Sequence, residues 1–337
     1  MAMLSRQKTS GKDYLNGLVA ASALKTNQQK SNIAFVKTHK TASTTLAYLL
    51  YRYARRHGVK LAHFSGQGSA VPLRQAVEET NRPGGPGPCD IMHYHVSAFG
   101  NFRGNWKDAE ESYRHIVRDP DTMVTITVMR EPRSHLLSYY YYYIYPERKV
   151  SIEKFLTSKK YRRDPYLRRL ANPLAAEFGA HNLQALRYML EEGLPKFSLV
   201  ILTEEFEEGL MVMRRLLGWD MIDMTYRSMY KTETGHARFD GKQLHTAPSF
   251  EELPEKVQTL IDKITMADQL LYQVSKMAYK EKRDSVAQYL EADLAEFRQL
   301  QGVVTTYLEG NKSSEAHVMY RKANIYGKEM ETTIGEF

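Results

Sequence analysis

The spacing of apolar residues changes period several times along the chain, and each change predicts an element. Ile33 to Val36 is a short unbroken apolar run, which suits a strand buried on both faces. From Ser43 to His57 the period becomes helical. Leu46, Leu49, Leu50 and Tyr53 fall on one face, and Gly58 stands where a C-cap belongs. Val59 to Phe64 reads as a second strand, and Asp90 to Val96 as a strand running into a loop. Between them, residues 81–88 (Asn-Arg-Pro-Gly-Gly-Pro-Gly-Pro) admit neither helix nor central strand and predict a surface loop. Ala109 to Val117 is helical in pattern. Thr122 to Met129 is the clearest strand, rich in β-branched residues. A helix is expected after Pro132, carrying Leu136, Leu137 and Tyr139 to Tyr143, and Ser151 caps another short one.

The second half continues the alternation. His181 to Glu192 reads as helix and Phe197 to Leu202 as strand. Thr203 is placed to cap a helix running through Leu217. Residues 231–248 lack periodicity and predict a long loop. Ser249-Phe-Glu-Glu252 forms a capping box that should open a helix, and Met266 to Leu300 is mainly helical. Helices alternating with four or five strands predict an α/β fold, a single domain with a central parallel sheet flanked by helices. The domain spans residues 32–300, between a polar N-terminal arm (1–31) and a polar tail (301–337).

Composition narrows the function classes. The 337 residues are 42% hydrophobic and 26% charged, enough for a sizeable core. A net charge of +8 fits an acidic cofactor, an acidic acceptor or nucleic acid. No nucleic-acid motif accompanies it and 39 acidic residues temper it, so no nucleic-acid partner is expected. Cys89 is the single cysteine, which excludes an internal disulfide and a Cys/His zinc site. It favours a reducing, cytoplasmic setting, with a disulfide-free secreted protein as the alternative. No run of 18 apolar residues exists, so no membrane span is expected. Oligomeric state is not set by these patterns.

The chemistry concentrates in three places. Residues 33–45 read Ile-Ala-Phe-Val-Lys-Thr-His-Lys-Thr-Ala-Ser-Thr-Thr. A helix N-terminus leaves N–H groups unpaired and favours anions. Lys37 and Lys40 add charge, and Thr38, Thr41, Ser43, Thr44 and Thr45 add short donors. Either this turn cradles an anion, or it is a capped helix beside a solvated lysine pair. It lacks the glycines of a triphosphate loop, and no predicted strand ends in a magnesium-binding Asp. Arg130 follows the clearest strand, with Ser138 two helical turns on. The two face one phosphate, or Arg130 pairs with Glu131 and Ser138 is a surface hydroxyl. His93 and His95 share a strand face, as a proton acceptor or as a structural pair. No third metal ligand is evident from spacing, so no metal is expected. The tyrosine run divides between core and cleft.

These motifs carry a family resemblance. Phe35-Val-Lys-Thr-His-Lys-Thr-Ala-Ser-Thr-Thr45 resembles the 5′-phosphosulfate loop of the galactose-3-O-sulfotransferases, and is similar to that of the heparan sulfate 2-O-sulfotransferases. Met129-Arg-Glu-Pro132 with Ser138 resembles their 3′-phosphate site. His93-Tyr-His95-Val-Ser-Ala-Phe is similar to the catalytic-histidine segment of the 2-O-enzymes. Leu202-Thr-Glu-Glu-Phe206, Leu216-Leu-Gly-Trp-Asp220 and the stretch Met266 to Lys280 with Asp268 and Tyr272 resemble the later part of the galactose enzymes. The resemblance implies a phosphate-loop-like sulfotransferase fold and an O-sulfotransferase using 3′-phosphoadenosine 5′-phosphosulfate (PAPS), with adenosine 3′,5′-bisphosphate (PAP) as product. Lys37, Thr38, Lys40, Thr41, Ala42, Ser43, Thr44 and Thr45 would hold the 5′ end, Lys40 also supporting the leaving group. Arg130 and Ser138 would hold the 3′-phosphate. His95 would be the general base, with His93 and His39 facing the acceptor. The acceptor it implies is a carbohydrate hydroxyl of galactose type; a small hydroxylated metabolite, or a nucleotide-dependent phosphotransfer, is the alternative.

Overall fold

The computed structural model describes residues 29–62, 73–96, 106–226 and 245–310. In chain order the elements are β1 (Ile33–Lys37), α1 (Ser43–His57), α2 (Leu73–Asn81), β2 (Ile91–His95), α3 (Trp106–Ile116) and β3 (Val124–Met129). Then come α4 (Pro132–Tyr139), a π-helical turn (Tyr140–Ile144), α5 (Tyr145–Arg148), α6 (Ile152–Thr157), α7 (Pro165–Arg169), α8 (Pro173–Glu177) and α9 (Leu183–Tyr188). The last are β4 (Leu199–Leu202), α10 (Phe206–Leu217), α11 (Met221–Met224), α12 (Glu255–Ile264), α13 (Met266–Ser285) and α14 (Ala287–Gly310).

The four strands form one parallel sheet in the order β2-β1-β3-β4. Every residue of β1, β3 and β4 is buried, so β4 and the first four residues of β1 are apolar throughout, while β3 also buries Thr125 and Thr127. The chain steps from β1 outward to β2, then back across to β3, so the strand order reverses between β1 and β3. In open parallel sheets that reversal opens a crevice at the carboxyl ends of the strands. α1 packs on β1 and β2, while α10 and α13 pack on β4. Gly209 lets α10 come close: a Cβ there would sit 2.5 Å from Ile201 Cγ2.

A smaller second core lies beside the sheet. It joins Leu136, Leu137, Tyr140 and Ile144 to Ile152, Phe155, Leu170, Val257 and Ile261. Among the described residues no helix is long and apolar enough to cross a membrane.

Several elements differ from the sequence expectation. Only Leu61 of the expected strand at 59–64 bridges β2, because Lys60 N is instead tied to the Asp90 carboxylate at 2.7 Å. Residues 63 and 64 lie outside the described set. β3 starts at Val124, since the Asp119 side chain takes the Thr122 hydroxyl at 2.7 Å and folds residues 119–122 into a turn. Ser249 N does reach Glu252 at 2.9 Å, yet the helix waits until Glu255. Pro254 disfavours a helical residue before it. Thr203 caps nothing: its hydroxyl lies 3.1 Å from Thr41 O and 3.0 Å from Met129 O, tying two strand ends together. α14 continues past Leu300 to Gly310, with Val304 buried. The expected loop at 231–248 falls outside the described residues except for 245–248.

Candidate functional site

The crevice between β1 and β3 is where the sequence motifs meet. After Lys37 the chain turns through Thr38–Ala42 into α1. Lys40 (φ 61°) and Ala42 (φ 63°) both take the left-handed conformation, which glycine usually supplies. The turn thus reaches a shape associated with glycine-rich anion loops without a glycine. Hydroxyls hold it there. Thr38 Oγ1 donates to Val128 O at 2.6 Å, Thr41 Oγ1 donates to Thr38 O at 3.1 Å, and Ser43 Oγ also donates to Thr38 O. Thr38, Thr41 and Ser43 are buried by these bonds, whereas Thr44 and Thr45 stay half-exposed on the first turn of α1.

The N-terminus of α1 is open. Ala42 is its N-cap and offers no side-chain bond to the first-turn N–H groups. Its first turn carries no acid either. An uncapped helix start with lysines beside it fits the 5′ end of an anionic nucleotide. Arg130, at the end of β3, closes the other side: its Nη1 donates to Lys40 O at 3.1 Å. Burial pulls the guanidinium pKa down, against the pull of Glu204 and Glu131, but an arginine stays charged. Glu204 braces this corner by accepting from Glu131 N at 2.9 Å and from the Tyr272 hydroxyl at 2.9 Å. Ser138 lies further along α4 and is half-buried.

On the β2 side, parallel pairing sets Lys37 beside His95. His93 pairs with Phe35, one pleat repeat further from the strand ends. The His39 ring stacks on His95 with centroids 3.9 Å apart and 16° between planes. A buried carboxylate serves both: Glu177 Oε1 is 2.5 Å from His39 Nδ1, and Oε2 is 3.7 Å from His95 Nδ1. The longer contact is beyond hydrogen-bond reach. Burial alone would raise Glu177, but the two histidines hold its carboxyl below the usual range. Burial, then His39, pushes the His95 pKa down, so its ring is neutral and has a lone pair to offer. Burial brings Lys37 to about 8, with Glu177 opposing the drop. His135, fully buried on α4, donates from Nε2 to His39 O at 2.7 Å and is lowered by burial to about 4.

Glu177 supplies the third ligand type that spacing did not suggest, and the three ligand atoms lie within 4.8 Å of one another. The arrangement suits a proton better than an ion. His39 Nδ1 lies 2.5 Å from Glu177 Oε1, closer than the roughly 3.3 Å between two atoms bonded at about 2 Å to one tetrahedral metal.

Glu177 is positioned from a distance. It ends α8, whose N–H groups at Leu174 and Ala175 donate to the Asp268 carboxylate at 3.1 and 2.7 Å. In return Asn172 Oδ1 accepts from Ala267 N and Asp268 N at 2.8 and 3.3 Å. Each helix start is therefore capped by a side chain from the other. Burial raises the Asp268 carboxyl to about 7, partly offset by the two backbone bonds.

Two tyrosines roof the site. The π-helical turn puts Lys40 Nζ 3.7 Å from the centre of the Tyr142 ring, and Tyr143 sits edge-on to His39 at 5.9 Å. Tyr139 and Tyr140 are buried while Tyr141 to Tyr143 are half-exposed, the division between core and cleft that the run predicted.

The structure thus gathers Lys37, His39, Lys40, His95 and Arg130 around one crevice and leaves His93 set back from it. Glu177 and His135 were not singled out from the sequence, and Tyr142 was named only as part of the tyrosine run. Asn172-Pro173 signals a helix start there, but nothing local marks Glu177 as chemical.

Comparison with known proteins gives a consistent picture. A family model described as Galactose-3-O-sulfotransferase matches residues 8–264. Galactose-3-O-sulfotransferase 3 of Mus musculus is 32% identical over 234 residues, covering 64% of this chain and 50% of the relative. The Homo sapiens protein of that name is 32% identical over 215 residues, covering 58% and 47%. Galactosylceramide sulfotransferase of Mus musculus is 28% identical over 227 residues, covering 59% and 48%. The chain spans about half the length of these relatives.

Proposed function

Because the chain belongs to the galactose-3-O-sulfotransferase family, we propose that it is a PAPS-dependent O-sulfotransferase acting on a hydroxyl of a galactose-type carbohydrate, on a phosphate-loop-like sulfotransferase fold. The observation that carries this reading is the meeting, at one sheet crevice, of an uncapped helix start, Lys40, Arg130 and a neutral histidine backed by a carboxylate. The relatives named for galactose and galactosylceramide support the acceptor class.

When bound, PAPS supplies the sulfuryl group and a phosphate oxygen that gains negative charge as it departs. The first-turn N–H groups of α1, Thr44 and Thr45 bind the 5′ end, while Thr38, Thr41 and Ser43 keep the loop in shape. Lys40 would meet the charge that builds on the leaving oxygen, and Lys37 would add a buried second charge. Arg130 and Ser138 hold the 3′-phosphate. His95 Nε2 takes the acceptor proton, because Nδ1 faces Glu177, and that carboxylate steadies the imidazolium that forms. Tyr142 and Tyr143 limit water at the reacting atoms.

The test is transfer of labelled sulfate from PAPS to galactosides, uronic-acid glycans and small alcohols. Wild-type protein should label a galactoside, and Lys40→Ala and Arg130→Ala should each abolish labelling while the fold survives. Wild-type activity in both variants would overturn the reading. Tight, magnesium-independent binding of PAP is expected; preferential binding of ATP with magnesium would instead favour phosphotransfer.

A further inference from the structure

The positive charge of the chain is concentrated. Residues 154–169 read Lys-Phe-Leu-Thr-Ser-Lys-Lys-Tyr-Arg-Arg-Asp-Pro-Tyr-Leu-Arg-Arg, seven cations and one acid, so this stretch carries six of the eight surplus charges. α6, a 3-10 turn at Lys159–Tyr161 and α7 fold it into a compact corner. Phe155 and Tyr161 point into the second core, which leaves every lysine and arginine of the stretch exposed. The one acid is turned inward: Asp164 caps Tyr166 N at 2.9 Å and pairs with Arg148 at 2.7 Å. Among the described residues none of the seven cations has an ion-pair partner. Like charges this close repel across much less than a Debye length, so the corner costs the fold stability rather than adding to it.

The corner also abuts the site. Arg169 lies over one side of the Tyr166 ring at 5.1 Å, and Arg148 is 4.7 Å from the same ring. The Arg169 charge acts on the Tyr139 hydroxyl. The Tyr139 ring is 4.9 Å from Tyr143, whose edge meets His39 at 5.9 Å. Two aromatic rings therefore separate the basic surface from the histidine cluster.

We propose that this corner is an exosite for a polyanionic acceptor, a carbohydrate chain whose carboxylate or sulfate groups bind residues 154–169 while one hydroxyl reaches His95. The proposal rests on the transfer reading above. A phospholipid surface fits less well, because Phe155 and Tyr161, aromatic side chains that could anchor the corner in it, are buried.

The test uses the full chain and two readouts. In the first, a fluorescent hyaluronan octasaccharide is titrated without donor. The charge-reversal variant Lys159→Glu, Lys160→Glu, Arg162→Glu, Arg163→Glu should bind it about tenfold or more weakly at low salt, with a flatter salt dependence. The milder Arg168→Gln, Arg169→Gln pair should give a smaller loss, and circular dichroism confirms that both variants fold. In the second, KM for an acidic galactoside should rise in the reversal variant while kcat/KM for a neutral galactoside stays unchanged. Octasaccharide binding that follows this pattern with no transfer to any acceptor supports the surface and removes the transfer reading. Transfer with an unchanged KM for the acidic galactoside overturns the exosite. So does a loss of binding to phosphatidylserine vesicles equal to or greater than the loss for the octasaccharide.

Discussion

Asp268→Ala should destabilise the protein most at acid pH, because Asp268 is a fully buried carboxyl that caps α8. Removing it strips Leu174 N and Ala175 N of their acceptor. Two buried unsatisfied donors cost about 1–3 kcal/mol each, so about 2–6 kcal/mol in total where the carboxyl holds its proton. Its folded pKa, raised by burial to about 7 from 3.8, sets the pH dependence. A raised folded pKa means the native state binds the proton more tightly than the unfolded chain. The stability it contributes is full below about pH 4 and is lost as pH rises through 7. At about 1.4 kcal/mol per unit, falling off near the folded pKa, the wild type should lose about 2 kcal/mol from this group between pH 5 and 7, and Asp268→Ala should lose none of it. Urea unfolding of both proteins at pH 5, 6, 7 and 8 measures this directly. The two stability curves should converge as pH rises. Parallel curves, or a cost under about 0.5 kcal/mol at pH 5, would refute the reasoning. The variant should also turn over more slowly, because α8 carries Glu177. In a Glu177→Gln background the same change should slow turnover little further.

Glu177→Gln should lower kcat about 100-fold while the dissociation constant of PAP, read by calorimetry, changes little, since the carboxylate acts on His39 and His95 and not on the donor. Lys37, lowered by burial to about 8, loses its charge as pH rises through that value. PAP binding should therefore take up protons at pH 8 and weaken above it, and Lys37→Arg should remove both effects. Tyr142→Leu takes the ring away from Lys40 Nζ and should cost about 0.5–2 kcal/mol of its placement, seen as a several-fold drop in kcat that Tyr142→Phe restores.

The parts of the fold set by local pattern were legible from sequence. β1 read as an apolar run, β3 as a β-branched one and α1 as an amphipathic helix with a C-cap at Gly58, and Lys40, Arg130 and His95 stood at or just past strand ends. What failed depended on distant partners. Thr203 looks like a helix cap, yet its hydroxyl goes to backbone more than 70 residues away. Glu177 sits in an ordinary helical turn and gains meaning only when tertiary packing brings it to His39, 138 residues earlier. Asp268 was singled out through motif likeness alone, and its capping role shows only once Asn172 is beside it. The loop misled in one respect: its lack of glycine pointed away from a triphosphate-loop sequence, while Lys40 and Ala42 adopt the left-handed backbone such glycines provide.

The five-tyrosine run conceals an insertion. Its π-helical turn holds one residue more than an α-helical turn would, and Tyr142 and Tyr143 within that wide turn meet Lys40 and His39. The run is uniform, so a one-residue slip along it still puts tyrosine at most positions. Chain length rather than side-chain identity therefore sets the register. Deleting one tyrosine and restoring regular α-helix would keep the downstream helix in phase but would withdraw the wide turn that carries Tyr142 to Lys40 and Tyr143 to His39. A point-substitution scan reads the rings one at a time, whereas only a deletion reads the wide turn that carries them.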